Sequence, residues 1–263
     1  MNLLLACFYK DFRIALSYKL QFIIKIFSPI FLILIFFFIS LFFQEANDMS
    51  GDENQIFKYM LSGIIFTDLT FLVISSFPNM ISEYRQQGIL EDIFTIRKNL
   101  IFIVLGSYLM PLFIFFLKLI IYFLVGILLF DINIFENISF HSLILFLSFY
   151  VLSLVGISMI IASYSFIVIK GNPVQSIFFA ISSIISGAFF PVSYLPNEIN
   201  LFSNLLPLYH FLEIIRYSDS QESLLIGSGL FLILLSIIYL SMGYLILRKA
   251  IIKAKKDGLL IYF

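Results

Sequence analysis

FLILIFFFISLFF, residues 31–43, holds a single polar side chain, Ser40, and does not alternate. A barrel strand would turn every second residue toward a polar lumen, and a helix of a soluble domain would keep one wet face. This stretch does neither, so it reads as a helix surrounded by hydrocarbon. A bilayer core about 30 Å thick takes about 20 mainly apolar residues per helix. Moving outward from residues 31–43, stretches of that kind fall at about 23–43, 59–80, 101–130, 142–169, 174–190 and 224–247. The expected fold is an all-α integral membrane protein, one transmembrane domain over 1–263 with six transmembrane helices.

Composition agrees. The 263 residues are 61% hydrophobic and 12% charged, with a mean hydropathy of +1.06, whereas a soluble domain carries roughly 25% charged residues. Lys and Arg balance Asp and Glu, 16 against 16, so no general attraction to nucleic acid follows. The lone Cys7 excludes an internal disulfide, and His141 and His210 without a second cysteine make no zinc set, so no metal site is expected. No catalytic constellation is expected either. The first span starts too late and lacks a small-residue cleavage site, so it reads as a retained span and not a signal peptide.

Basic residues set the orientation. Thirteen of the 16 fall on one side, in the leader, in residues 81–99, at Lys170 and in the tail at 248–263; Lys58 and Arg216 fall on the other, and Lys118 lies within a span. Both termini are therefore expected in the cytoplasm of a multi-pass protein of the plasma (inner) membrane.

Four local patterns go beyond hydropathy. Through residues 1–22 and up to the first residue of the span, Leu5, Phe8, Phe12, Leu16, Leu20 and Ile23 recur every three or four positions opposite Lys10, Arg13, Ser17 and Gln21, which predicts an amphipathic helix over 1–22 in the cytoplasmic interface. Residues 81–99 combine Glu83, Arg85, Glu91, Asp92, Arg97 and Lys98 with Ile89, Leu90, Ile93 and Phe94 at helical spacing, as a short amphipathic helix or a solvated turn would. Asp68 and Lys118 lie deep in consecutive antiparallel spans, about 14 Å and about 18 Å below the outer ends at 1.5 Å per residue, so they can meet. A charge at mid-bilayer costs at least about 2.5 kcal/mol, so a partner or a wet path is expected. Finally, Gly187, Pro191, Pro196 and Pro207 break residues 186–223 into short apolar pieces, with stripes Ile199, Phe202, Leu205, Leu206 and Leu208, Phe211, Leu212, Ile215. Short re-entrant helices on the outer side, or a surface cap, fit 191–223, and Glu213 and Arg216, three apart, could pair.

These patterns, in this order, resemble the permease subunits of type-2 ATP-binding-cassette (ABC) exporters over nearly the whole chain. EYRQQGILED at 83–92 is similar to the family's Glu, basic residue, Gly-Thr-x-Glu, with Glu83, Arg85, Gly88 and Glu91 matching and Ile89 in place of Thr. SGAFFPVSYLP and LLPLYHFLEIIR match at Gly187, Phe190, Pro191, Leu195, Pro196, Leu206, Pro207, Glu213 and Arg216. The resemblance implies a dimer, with a second copy or a related chain, whose 81–99 loop is a coupling helix seated on a separate ATP-binding subunit. Glu83, Arg85, Gly88, Ile89, Glu91, Ile93, Phe94 and Arg97 are the expected coupling residues. ATP and Mg would belong to that partner, since this chain has no GxxxxGK[ST] loop; the chain itself is expected to be non-catalytic and to need no cofactor. The expected cargo is a hydrophobic small molecule, drug or lipid, with lipid-linked polysaccharide as another class. A secondary transporter or channel using Asp68 and Lys118 is the chief rival. A membrane hydrolase would need a denser cluster of reactive side chains than this chain has.

Overall fold

The computed structural model describes residues 3–47, 53–91, 100–130, 139–166, 173–217 and 222–256, and these form helices joined by turns, with no strand among them. In chain order they are α1 (Leu3–Ser17), α2 (Lys19–Asn47), α3 (Glu53–Gln86), α4 (Leu100–Phe130), α5 (Phe140–Ser165), α6 (Pro173–Ile185), α7 (Asn197–Ser203), α8 (Pro207–Tyr217) and α9 (Glu222–Lys256). A 3-10 turn, Val192–Tyr194, sits between α6 and α7, and a further helix begins at Leu90. Five of these helices, α2, α3, α4, α5 and α9, are long and apolar enough to cross a bilayer.

α3 is the central post. It packs against α2, α4, α5, α6 and α8, and 83% of its most apolar window is buried, against 11% for α2. Yet α3 is the least apolar of the five and α2 the most. In lipid, helices gain little by hiding apolar surface from an equally apolar solvent, so hydrogen bonding and close packing select the centre. α3 carries the means: Ile74 O accepts from Ser158 of α5 at 3.0 Å and Phe66 O accepts from Tyr150 at 3.2 Å. Thr70 and Tyr150 share a further short hydrogen bond. Phe211 of α8 lies edge-on to Phe66 and stacks on Tyr150, with centroids 4.7 and 4.5 Å apart.

α5 and α9 form the tightest pair because glycine removes the side chain between their backbones. A Cβ on Gly156 would stand 2.3 Å from the Tyr239 backbone, and one on Gly243 would stand 2.5 Å from Gly156 O. A substitution at either must push the helices apart.

The expected span at 174–190 is helical over only part of its length. Its helix, α6, has 13 residues, about 20 Å at 1.5 Å per residue, too short to cross by itself. Gly187 stops it with φ +72°, the left-handed value that glycine adopts without strain. The loop expected over 81–99 is also shorter than expected, because α3 continues to Gln86. Likewise, helix runs to Lys256 through much of the expected tail. In the leader, a break at Tyr18 separates α1 from α2, but α1 does not present its periodic face as one surface. Phe8 and Phe12 pack edge-on to Phe113 of α4, with centroids 5.7 and 6.0 Å away, while Leu5, Leu16, Leu20 and Ile23 stay exposed.

Candidate functional site

Asp68 and Lys118 meet halfway along the bundle. Lys118 Nζ donates to both carboxylate oxygens of Asp68, at 3.0 and 2.9 Å, and Tyr122 OH, one turn further along α4, stands 3.5 Å from Oδ2. The two side chains are 11% and 6% exposed. Opposite charges held at this distance, each donating or accepting toward the other, neutralise what would be two costly buried ions. The same geometry leaves little of either charge for a passing solute.

One turn away from that pair, at Leu72 and Ile114, a polar cleft of about 190 Å³ begins. It runs toward Glu83 between α1, α2, α3 and α4 and is lined by Lys10, Asp11, Lys25, Ser75, Ser76, Asn79, Glu83 and Ser107, with Met80, Met110 and Pro111. Lys10 is held: its Nζ donates to Tyr84 OH at 2.6 Å, lies 3.2 Å from Asp11 and sits 4.5 Å from the Tyr84 ring centre. Burial pulls the Lys10 pKa down, but Tyr84 and Asp11 outweigh it, so the net displacement is upward and the ammonium stays charged.

Next to the cleft, α3 ends in a glycine cap. Gly88 has φ +71°; its N–H donates to Arg85 O and the Ile89 N–H to Tyr84 O, both at 3.0 Å. This is the paired arrangement that closes a helix on a left-handed residue. The cap turns Ile89 outward and Leu90 inward, 36% and 1% exposed. Arg85, expected on the loop surface, is buried and donates to Phe166 O at 3.1 Å, tying the end of α3 to the end of α5. Glu83 is exposed in the cleft, and Glu91 is exposed beyond the cap. Ile93, Phe94 and Arg97 lie outside the described residues.

The opposite end of α3 is closed by Arg216. Its Nε donates to Ser62 Oγ at 3.0 Å, Nη1 to Gly187 O at 2.8 Å, and Nη2 to Tyr59 O and Ala188 O, both at 2.9 Å. The guanidinium lies 3.4 Å over the Tyr59 ring. A cation set against carbonyls just past the end of α6 and one of α3 fixes the turn between them, since the planar guanidinium can donate to several oxygens at once. Gly63 permits the approach, since a Cβ there would fall 1.8 Å from Ala188 O. The expected Glu213–Arg216 pairing is corrected. Glu213 instead accepts from Tyr209 and from Ser228 of α9, so the two charges tie α8 to different neighbours.

Pro207 is the first residue of α8, where its missing N–H costs nothing. Pro191 and Pro196 precede the 3-10 turn and α7, and Phe190 is half-buried beside them. The stripe Leu208, Phe211, Leu212, Ile215 is buried in the bundle, whereas Ile199, Phe202 and Leu205 point out and only Leu206 is covered. His210 is buried between these layers, stacked on Phe231 and bonded to Asn204 O at 2.9 Å. Burial holds its pKa below the usual histidine value, against the backbone contact and Glu213, which act upward. Sequence reading missed the Lys25 cleft, whose members come from four helices; the one signal was Lys25 inside the first apolar run.

A family model described as ABC-2 type transporter matches residues 2–219, all the described helices except α9. A search of curated proteins finds no match.

Proposed function

The chain belongs to the ABC-2 type transporter family, whose members form the permease component of a membrane transporter, and from that premise we propose that it is the permease of an ATP-driven exporter, working as a dimer with separate ATP-binding subunits. The observation that carries the reading is the family match over 2–219. Permeases of this kind are generally not catalytic themselves, and ATP with its Mg would act in the partner.

The layout supports six passes in place of five. Phe166 O is bonded to Arg85 and Ala188 O lies against Gly63. These points are separated along α3 by 22 positions, about 33 Å, so the chain between them climbs about a full bilayer core although α6 is short. An even number of passes places both termini on one side. The crowding of Lys and Arg at the Arg85 end supports the cytoplasmic side of the plasma membrane for it. The α7 and α8 segment then belongs to the outer side.

On this reading the glycine cap presents the coupling segment. Gly88 sets the turn, exposed Ile89 leads to the helix that begins at Leu90 and holds Glu91, and Ile93, Phe94 and Arg97 follow in the sequence as further coupling residues. Arg85 holds the end of α3 through Phe166 O, while Glu83 faces the cleft beside it. The uncovered aromatic face of α2, with Phe31, Phe38 and Phe42, supports a second copy or an apolar cargo such as a lipid or drug at that surface, with a lipid-linked polysaccharide as the other cargo class. The closed Asp68–Lys118 pair supports a packing role over a carrier or channel mechanism.

The test is co-purification of the ATP-binding subunit with Ile89→Glu and Gly88→Val, together with ATP-dependent export from inverted vesicles. Both variants should reach the membrane and lose most of the partner and of transport. Normal partner retention and transport in both would remove the loop from the coupling mechanism.

A further inference from the structure

The cleft at the Arg85 end holds charges that the bundle leaves unspent. Among the described residues the Lys25 ammonium makes no ion pair and no hydrogen bond, and neither does the Glu83 carboxylate. The two line the same cleft without bonding to each other, and the Lys118–Asp68 pair lies beyond its deep end. In the same lining, the serine O–H groups are already engaged: Ser75 donates to Leu72 O at 3.4 Å, Ser76 to Val73 O at 2.9 Å and Ser107 to Val104 O at 2.7 Å. Each hydroxyl oxygen keeps lone pairs, so beside the Lys10–Asp11 ion pair, whose charges offset each other, the cleft offers acceptors, the Glu83 carboxylate, the Lys25 ammonium and the amide of Asn79.

That inventory selects its occupant. A simple anion would satisfy Lys25 but face Glu83, and a simple cation would satisfy Glu83 but face Lys25. A zwitterion matches both: an N–H-bearing ammonium to Glu83 and the serine oxygens, a phosphate to Lys25. Glu83 lies three residues before the end of α3, while Leu72 marks the deep end of the cleft, 11 positions or about 16 Å further in. Ile24 and Phe27, beside Lys25 on α2, are exposed, an apolar flank along which hydrocarbon chains can lie. We propose that this cleft binds the headgroup of an amine-bearing zwitterionic phospholipid, its phosphate on Lys25 and its ammonium on Glu83. The proposal rests on the preceding reading only for the leaflet, the cytoplasmic one, that supplies the lipid.

The experiment is native mass spectrometry of the full chain in detergent micelles, titrated separately with dioleoyl phosphatidylethanolamine, phosphatidylcholine and phosphatidylglycerol. No ATP-binding subunit is present, so failure here leaves the coupling loop untouched, and loss of coupling leaves this binding untouched. Phosphatidylethanolamine should bind at least several-fold tighter than phosphatidylcholine, which has no N–H to donate, or phosphatidylglycerol, which has no amine. Lys25→Gln and Glu83→Gln should each weaken phosphatidylethanolamine about tenfold, the worth of one charged hydrogen bond. Lys25→Arg and Glu83→Asp should keep most of the affinity, and Lys249→Gln, an equal charge change on exposed α9, should keep all of it. Glu83→Gln should not weaken phosphatidylglycerol. Equal binding of the three lipids to the wild-type chain, or unchanged binding in both Gln variants, would overturn the site. Displacement by glycerophosphoethanolamine at the concentration of the lipid would overturn the lipid as its source and leave a site for the soluble headgroup.

Discussion

Lys118 with Asp68 and Lys25 with Glu83 are the same two functional groups on neighbouring helices of one bundle, and they have opposite fates. Lys118 and Asp68 lie at the same height on α4 and α3, bond through both carboxylate oxygens and are almost wholly covered. Lys25 and Glu83 do not bond to each other and line an open cleft that runs from one turn beyond that pair toward the end of α3. Depth explains the difference. A charge at mid-bilayer has no water and must find its partner in the protein, whereas one near the membrane surface can stay hydrated until a ligand arrives. The first pair is thus spent on packing in the reading proposed above, and the second lines the cleft proposed as a lipid site.

The largest expected effect tests the first half of that contrast. Asp68→Asn or Lys118→Met alone should cost about 3–5 kcal/mol, because each strands a buried charge, and the double change should cost less than either. Denaturation in mixed micelles measures it. Strictly additive losses would show that the pair is not a unit and would dissolve the contrast with the cleft.

An intermediate effect concerns a half-buried cation set against the backbone. Arg216 donates to the carbonyls of Tyr59, Gly187 and Ala188 and to the Ser62 hydroxyl. Arg216→Leu should cost about 3 kcal/mol, less than a broken ion pair because Gly187 O keeps the Tyr59 hydroxyl. It should also raise hydrogen exchange at Gly187 and Ala188 ahead of global unfolding. Unchanged exchange there would mean that Gly63 packing, not the guanidinium, holds the segment.

The smallest effect falls on the cleft. Lys25→Gln and Glu83→Gln should each leave stability within about 0.5 kcal/mol in lipid-free micelles, since no bonded partner is lost. A loss of 2 kcal/mol or more in the same denaturation assay would make the cleft a structural element like the deeper pair.

Most of the helices were legible because hydropathy along the chain registers directly the environment a span must occupy, and α2, α4, α5 and α9 contain what the runs of Phe, Leu and Ile imply. Asp68 and Lys118 were legible as a pair for a related reason. Sequence gives the depth of a residue along a helix, and two opposite charges at one depth on consecutive spans have few other ways to avoid the cost of burial. Lys10, set down as part of a wet face, turned out to be bonded to Tyr84, because an amphipathic helix can bury an edge of its polar face as readily as its apolar one once another helix lies beside it.

By itself the sequence determined the membrane as solvent, the helical class, the family-like stretches around Gly88 and Gly187 and the axial position of every charge, all of which depend on order along one dimension. Only the tertiary structure decided that the least apolar span stands at the centre, that α6 ends after 13 residues at Gly187, that Glu213 and Arg216 part company, and that Arg85 turns inward while Lys25 and Glu83 open a cleft. Each of these depends on which helices are neighbours and how each is rotated about its axis, and that is fixed by glycine contacts such as Gly156 with Gly243 and by hydrogen bonds between residues distant in the chain, which no local pattern encodes.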